Sequence, residues 1–275
     1  MMSRRPEDPA GEGPRGGGRT RSRMGSRSLA RRLRAFLLFG PLLVLGACAS
    51  TQPFVGLEPE EVYVLGLQAF LEEDWAEAID AFERLLLTSP NFPQAADARL
   101  NLARAHFARG EYISAASEFE RFLDRHPNHD QAAQASIGMC RSYARLAPIP
   151  PRDQEYTRLA RDQCRQTRND FQGLNIATEA DSIRAAMVER LAEREYREGR
   201  FYQSRGFHDS ALIIFQDLVD FYPETVWAPR GFLAMYRSYR AIGWQEEAEE
   251  TRNRLLFLYP ESDAARELRA DGDGG

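Results

Sequence analysis

Trp75-Ala76-Glu77-Ala78-Ile79-Asp80-Ala81-Phe82, closed by Pro90, is answered 37 residues later by Tyr112-Ile113-Ser114-Ala115-Ala116-Ser117-Glu118-Phe119, closed by Pro127. The interval returns near the C-terminus, where Gly206, Ala211 and Pro223 are echoed by Gly243, Ala248 and Pro260. A fixed period of this size marks a stacked repeat. Its parts have separate physical tasks. A small residue (Ala78, Ala115, Ala211, Ala248) starts a second helix where two helices cross closely. Four positions on, Phe82, Phe119 and Phe215 fill the gap between helices, and a proline eight further on stops the helix. A turn at Glu73-Asp74, Gly110, Gly206 or Gly243 separates helix from helix, followed by an aromatic at Trp75, Tyr112, Phe207 or Trp244.

This set of positions resembles the tetratricopeptide repeat (TPR), lengthened by three residues over its usual 34, nearly one helical turn per unit. A third unit is hidden by an insertion. Leu146-Ala147-Pro148-Ile149-Pro150-Pro151-Arg152-Asp153 is a stretch no helix can cross. Removing about eight residues there brings Cys140, Ala160 and Cys164 onto the places of Gly66, Ala78 and Phe82. The fourth unit starts with a longer helix, roughly Ala177 to Ser204, with no proline inside it. No alternating Val/Ile/Thr run bounded by Asn-Gly or Asp-Gly turns reads as strand. The expected fold is an all-α, TPR-like solenoid of five helix pairs over residues 58–262. Each pair buries its apolar stripe only against its neighbours, so the five form one quasi-linear domain. Residues 48–57 read as a linker and 263–275 as a disordered tail.

The N-terminus has a separate character. Arg31, Arg32 and Arg34 precede an apolar run from Ala35 to Leu45, and small residues then lead into Cys48. That is the pattern of a secretory signal peptide, too short to span a membrane, which takes about 20 apolar residues. Leu45-Gly46-Ala47-Cys48 resembles a bacterial lipobox, which implies cleavage before Cys48 and acyl chains on its thiol. The alternative is an ordinary signal peptide with an incidental cysteine. Residues 1–47 are thus expected to be removed, with Met24 as the real start. Ala49 rather than Asp after Cys48 favours the outer membrane by the sorting rule of enteric bacteria.

Processing changes the charge. The chain carries −5 overall, and residues 1–47 hold 10 of its 36 basic and 3 of its 41 acidic residues. The remainder has 26 basic against 38 acidic residues, a net −12, with arginine the only basic type besides histidine. An acidic body argues against nucleic-acid binding, which needs a basic patch to neutralise phosphates. It argues equally against attraction to anionic headgroups, so membrane attachment falls to the lipid anchor.

Two cysteines remain, Cys140 and Cys164, and the register turns both into the space between the two helices of the third unit. An oxidising compartment permits a disulfide there, and two reduced core cysteines are the alternative. Catalysis has little to stand on. His106 occupies a place that wants a packed aromatic. His126-Pro127-Asn128-His129-Asp130 lies in an inter-repeat turn without a fourth ligand. There is no nucleotide-binding glycine loop, zinc-protease motif or nucleophile elbow, so no metal or cofactor is expected. The Asp271-Gly272-Asp273-Gly274-Gly275 tail is too short for a calcium loop. The chain reads as a binding protein.

Residues 186–226 carry a family resemblance. Arg190-Leu191-Ala192-Glu193-Arg194-Glu195-Tyr196, then Tyr202, Arg205-Gly206, Ala211 and Phe221-Tyr222-Pro223-Glu224-Thr225, resemble the fourth repeat of the BamD-type lipoproteins of the outer-membrane β-barrel assembly machinery. The insertion ending in Arg152-Asp153-Gln154 has its counterpart there, and the resemblance covers most of residues 50–262. It implies docking to a BamA-like barrel-forming protein and handling of nascent outer-membrane proteins. The implied partner surface is Arg205, Ile213 and Ile214, with Ile213-Ile214 standing where proteobacterial members place Asn-Arg. Packing of both isoleucines between units four and five is the alternative. A runner-up class is the periplasmic TPR lipoproteins that coordinate cell-wall or trans-envelope complexes, which share the Tyr-Pro-x-Ser/Thr turn but carry a coiled coil.

In a TPR solenoid the first helix of each unit lines the inner face, and residues three to four apart point into it. This counting gives Tyr63, Leu67 and Phe70, then Leu100, Arg104 and Phe107, then Arg141 and Arg145. Aromatic side chains grading into arginines suit an extended peptide with aromatic residues and a terminal carboxylate. The alternative is that Tyr63 and Phe70 pack on the linker while the arginines pair with neighbouring carboxylates.

Overall fold

The computed structural model describes residues 54–272, and Cys48 with the expected signal peptide lies outside them. Among the described residues there are eleven helices and no strand. Ten of them pair as five units: α1 (Pro59–Leu71) with α2 (Trp75–Thr88), α3 (Ala95–Arg109) with α4 (Tyr112–Arg125), α5 (Ala132–Leu146) with α6 (Glu155–Asp170), α7 (Asn175–Gln203) with α8 (His208–Phe221), and α9 (Trp227–Ile242) with α10 (Gln245–Leu258). Each helix packs against the next, and each first helix also touches the first helix of the following unit. No described helix is long and apolar enough to cross a membrane.

The expected small and large residues do what the period requires. Ala78, Ala115, Ala160, Ala211 and Ala248 are all fully buried, as are Phe82 and Phe215, while Phe119 is nearly so. Close approach is strictest beneath the phenylalanines. A Cβ added at Gly199 would meet the Phe215 ring at 2.4 Å, and one at Gly66 would meet Phe82 at 2.8 Å. Four of the five intra-unit turns share a left-handed residue, at Gly110 (φ 82°), Gly206 (80°) and Gly243 (84°), and in the first unit at Glu73 (60°). The Asp74 side chain then caps α2 by accepting from the Glu77 amide.

Pro223 and Pro260 end α8 and α10 in matching turns. Thr225 Oγ1 donates to Tyr222 O and Ser262 Oγ to Tyr259 O, each at 2.8 Å, while the Tyr259 hydroxyl donates to Pro223 O at 2.8 Å. Neighbouring turns are thereby tied to one another. The insertion between α5 and α6 is held as firmly. The buried Gln154 carboxamide donates to the carbonyls of Ile149, Pro150 and Arg152, and Thr157 donates to its oxygen at 2.6 Å. Arg190, reaching from α7, donates to Ala147 O and Pro148 O.

The C-terminal expectation needs correction. Residues 263–272 form a helix, α11 (Asp263–Gly272), not a disordered tail. Ala264, Ala265 and Leu268 are buried in one cluster with Phe232 and Leu255. Their spacing puts them on one helical face, which covers apolar surface of the last pair. α11 packs on α9 and α10 in the place of the first helix of a sixth unit.

Candidate functional site

The groove candidates fall on α1, α3 and α5. Tyr63, Leu67 and Phe70 are half-buried and pack with Trp75 and Phe92 around the first core cluster. The Tyr63 ring lies 5.6 Å from Phe92, and Phe70 meets Trp75 edge-on at 5.3 Å. Phe54, just before α1, joins the same cluster. Phe107 is half-buried and meets Tyr112 at 5.3 Å. Leu100 departs from expectation. It is 1% exposed, sealed with Phe119 and Phe122, and lines no groove. Counting by threes and fours finds the stripe of α3 that carries Leu100 and Ala103, but both belong to the core.

The arginines are held in place. Arg104 is half-buried and donates to Asn101 Oδ1 at 3.3 Å and to Gln131 Oε1 at 3.1 Å. Burial pushes its pKa down, with Asp97 opposing, and burial together with the same Asp97 pushes the Tyr63 phenol up. Arg141 forms a bidentate pair with Glu179 of α7, both contacts at 2.6 Å, and this holds the Glu179 carboxyl below its usual value. Arg145 is exposed, its guanidinium 5.9 Å from the Tyr112 ring centroid. Tyr63 and Phe70 thus pack in one cluster with Phe54 of the expected linker, and Arg141 pairs with a neighbouring carboxylate, as the alternative reading of these residues has it.

Cys140 on α5 and Cys164 on α6 are placed in a disulfide, with Cα atoms 5.0 Å apart and both residues fully buried. His106 is buried, its Nδ1 2.7 Å from Glu111 Oε2, and His129 meets the Phe122 ring edge-on. Among the described residues no group of three His, Cys, Asp or Glu side chains could hold a metal ion.

The fourth unit presents its own surface. The Arg205 guanidinium lies over the Phe201 ring, its central carbon 3.5 Å from the centroid, and donates to the Phe201 carbonyl at 3.3 Å. Ile213 is 66% exposed, whereas Ile214 is half-buried. The two isoleucines therefore separate, one outward and one partly packed, and the alternative that buries both is set aside. Phe201 and Phe207 of the same helix pair are also exposed.

These features define a class: a TPR-like helical solenoid with exposed apolar side chains on its fourth unit. The chain belongs to the YfiO family, described as outer membrane lipoprotein, whose profile matches residues 56–255, from before α1 into α10. A curated relative, outer membrane protein assembly factor BamD of Rickettsia prowazekii (strain Madrid E), is 26% identical over 242 residues, covering 85% of this chain and 93% of the relative. The BamD-type resemblance read from the fourth unit agrees with both. Solved structures with similar helix arrangements include the TPR2AB domain of yeast Sti1 (15% identity, 78% of this chain and 82% of that one, TM-score 0.38). A thermophilic TPR protein of Thermus thermophilus (19%, 78% and 98%, 0.33) and MamA (17%, 74% and 92%, 0.32) are others.

The structure also brings forward two residues that the counting left out. Leu67, Arg104, Arg141, Arg200 and Arg237 occupy one place in five successive units, directly after Gly66, Ala103, Cys140, Gly199 and Tyr236. Arg200 and Arg237 stand 37 residues apart, as Arg104 and Arg141 do. That interval was the signal, and the long α7 concealed it.

Proposed function

We infer that this protein is a scaffold of outer-membrane β-barrel assembly, held at the periplasmic face of the outer membrane by acyl chains on Cys48. The observation that carries this reading is the family match, which spans the solenoid from before α1 into α10. The surface around Arg205 and Ile213 docks a BamA-like barrel-forming partner. The inner face of the first three units, with Tyr63, Leu67, Phe70, Arg104, Phe107, Arg141 and Arg145, receives the C-terminal segments of nascent barrel proteins. The role is one of binding and positioning, with no chemical step. Co-purification of the detergent-solubilised, lipidated protein tests the reading: a barrel-forming partner should accompany the wild type. Cys48→Ala should release the protein from membranes washed at high salt unless that partner retains it. Absence of any barrel-forming partner from the wild-type complex overturns the assignment. Membrane retention of Cys48→Ala without the partner overturns the anchor.

A further inference from the structure

We propose that the inner face of the fourth and fifth units holds a second carboxylate site, built on Arg200 and Arg230, for a glutamate or aspartate side chain inside an extended peptide. The proposal rests on the reading of the inner face as a peptide groove but uses none of the residues assigned to the first three units. Elsewhere along this face the recurring arginine staples one first helix to the next. Arg104 reaches Gln131, Arg141 reaches Glu179, and Arg237 of α9 reaches Glu267 of α11 at 2.6 Å. Arg200 of α7 holds the same place as Arg237. The place of Glu267, however, is taken 37 residues earlier by Arg230. Where the next unit has a carboxylate, this one has a second guanidinium.

α7, α9 and α11 leave a cavity of about 310 Å3 at this point, lined among others by Tyr196, Arg200, Arg230, Leu233, Arg237 and Glu267. Its acidic groups are already engaged. Glu267 pairs with Arg237, and Asp263, which also lines the cavity, pairs with Arg266. Among the described residues neither Arg200 nor Arg230 forms an ion pair. Arg200 donates to the neutral Gln203 Oε1 at 2.9 Å, and Arg230 lies 4.8 Å from the Trp227 ring centroid. Two exposed guanidiniums without a carboxylate partner thus line one cavity and leave their donors open to an anion. Their planar donor sets fit a carboxylate, and Tyr196 and Leu233 supply an apolar wall for the chain that carries it. A peptide has a single terminal carboxylate, which the reading above assigns to the first three units, where Arg141 is held by Glu179 and Arg104, bonded only to neutral Asn101 and Gln131, is left to take it. The group at Arg200 and Arg230 is therefore an internal side chain.

The probe is a fluorescein-labelled, C-terminally amidated peptide of alternating tyrosine and glutamate, compared with its tyrosine–glutamine counterpart. The wild type should prefer the glutamate peptide by about tenfold at low salt, with the preference shrinking as salt rises. Arg200→Gln/Arg230→Gln should abolish the preference while helical content and melting stay unchanged, because both side chains are exposed and form no ion pair. Arg104→Gln/Arg141→Gln should keep it. No preference in the wild type, or an undiminished one in Arg200→Gln/Arg230→Gln, overturns the site. A free-acid peptide from a barrel-protein C-terminus tests the first three units separately. If it fails to bind while the amidated glutamate peptide binds as described, the first groove falls and this site stands; the converse removes this site alone.

Discussion

Arg99 of α3 and Glu118 of α4 meet at 2.6 Å inside the second unit, with side chains only 9% and 11% exposed. Glu118 also accepts from Arg121 of its own helix. A desolvated pair of this kind is costly to break from one side, because the surviving charge keeps its burial and loses its partner. Glu118→Ala should lower unfolding stability by about 3 kcal/mol in urea titrations. Replacing both members with apolar residues, Arg99→Met/Glu118→Leu, should come close to neutral. A small loss in the single variant would show that Arg99 finds water on opening.

The glycine under each phenylalanine gives a ranked pair of tests. Alanine would normally stabilise a helix by about 1 kcal/mol relative to glycine. At Gly199 the added methyl meets the fully buried Phe215 ring at 2.4 Å, so overpacking of roughly 1–3 kcal/mol should exceed that gain. At Gly66 the nearest Phe82 atom is 2.8 Å away. Gly199→Ala should therefore melt lower than Gly66→Ala, and the reverse order would contradict the packing.

The Cys140–Cys164 bridge joins residues 24 apart in sequence across α5 and α6. Closing that loop restricts the unfolded chain by roughly 3 kcal/mol in the chain-entropy account. Peptide mapping of non-reduced protein should recover the linked pair, and Cys140→Ala/Cys164→Ala should unfold at lower denaturant. Two alkylatable thiols in denatured, unreduced protein would refute it.

On the outer surface the two isoleucines should behave differently. Ile213→Glu should leave helical content and melting untouched, since the side chain is 66% exposed, and should weaken co-purification with the barrel-forming partner. Ile214→Glu should cost stability as well. Unimpaired co-purification of Ile213→Glu would move the partner surface elsewhere.

Acid should loosen the start of α7. The Arg141 hydrogen bonds hold the Glu179 carboxyl below its usual 4.5, and bonds from Arg184 and Arg168 hold Asp181 below 3.8. Both folded values are depressed. The stability they contribute is therefore complete above those usual values and is lost as pH falls through the lower, folded ones. Hydrogen exchange at about pH 3, below both usual values, should show early opening of the first turns of α7. Glu179→Gln should bring part of that opening to neutral pH. Equal protection at both pH values would exclude this account.

The helix-pair stack was legible because Ala78, Phe82 and Pro90, with their echoes, answer to local sterics: a small residue, a large one and a helix stop at fixed spacing. Leu100 was misplaced because spacing reports which residues share a face but not how deeply the next unit covers it. α11 escaped because Ala264, Ala265 and Leu268 are too few to show a period, and their burial depends on Phe232 and Leu255, earlier in the chain. Arg230 could not be singled out at all. Its meaning lies in what it replaces, Glu267 one unit on, and in which cavity both enter.

Gln154 has a consequence for how such a chain can change over generations. One buried carboxamide and one guanidinium from α7 fix five backbone carbonyls of the insertion, those of Ala147, Pro148, Ile149, Pro150 and Arg152. Backbone carbonyls are common to every residue type, so this grip does not read the side chains between them. Ile149, 62% exposed at the crest, can be exchanged without asking the frame to adjust. The insertion is a socket in which new surface chemistry can be tried while the stack beneath keeps its register.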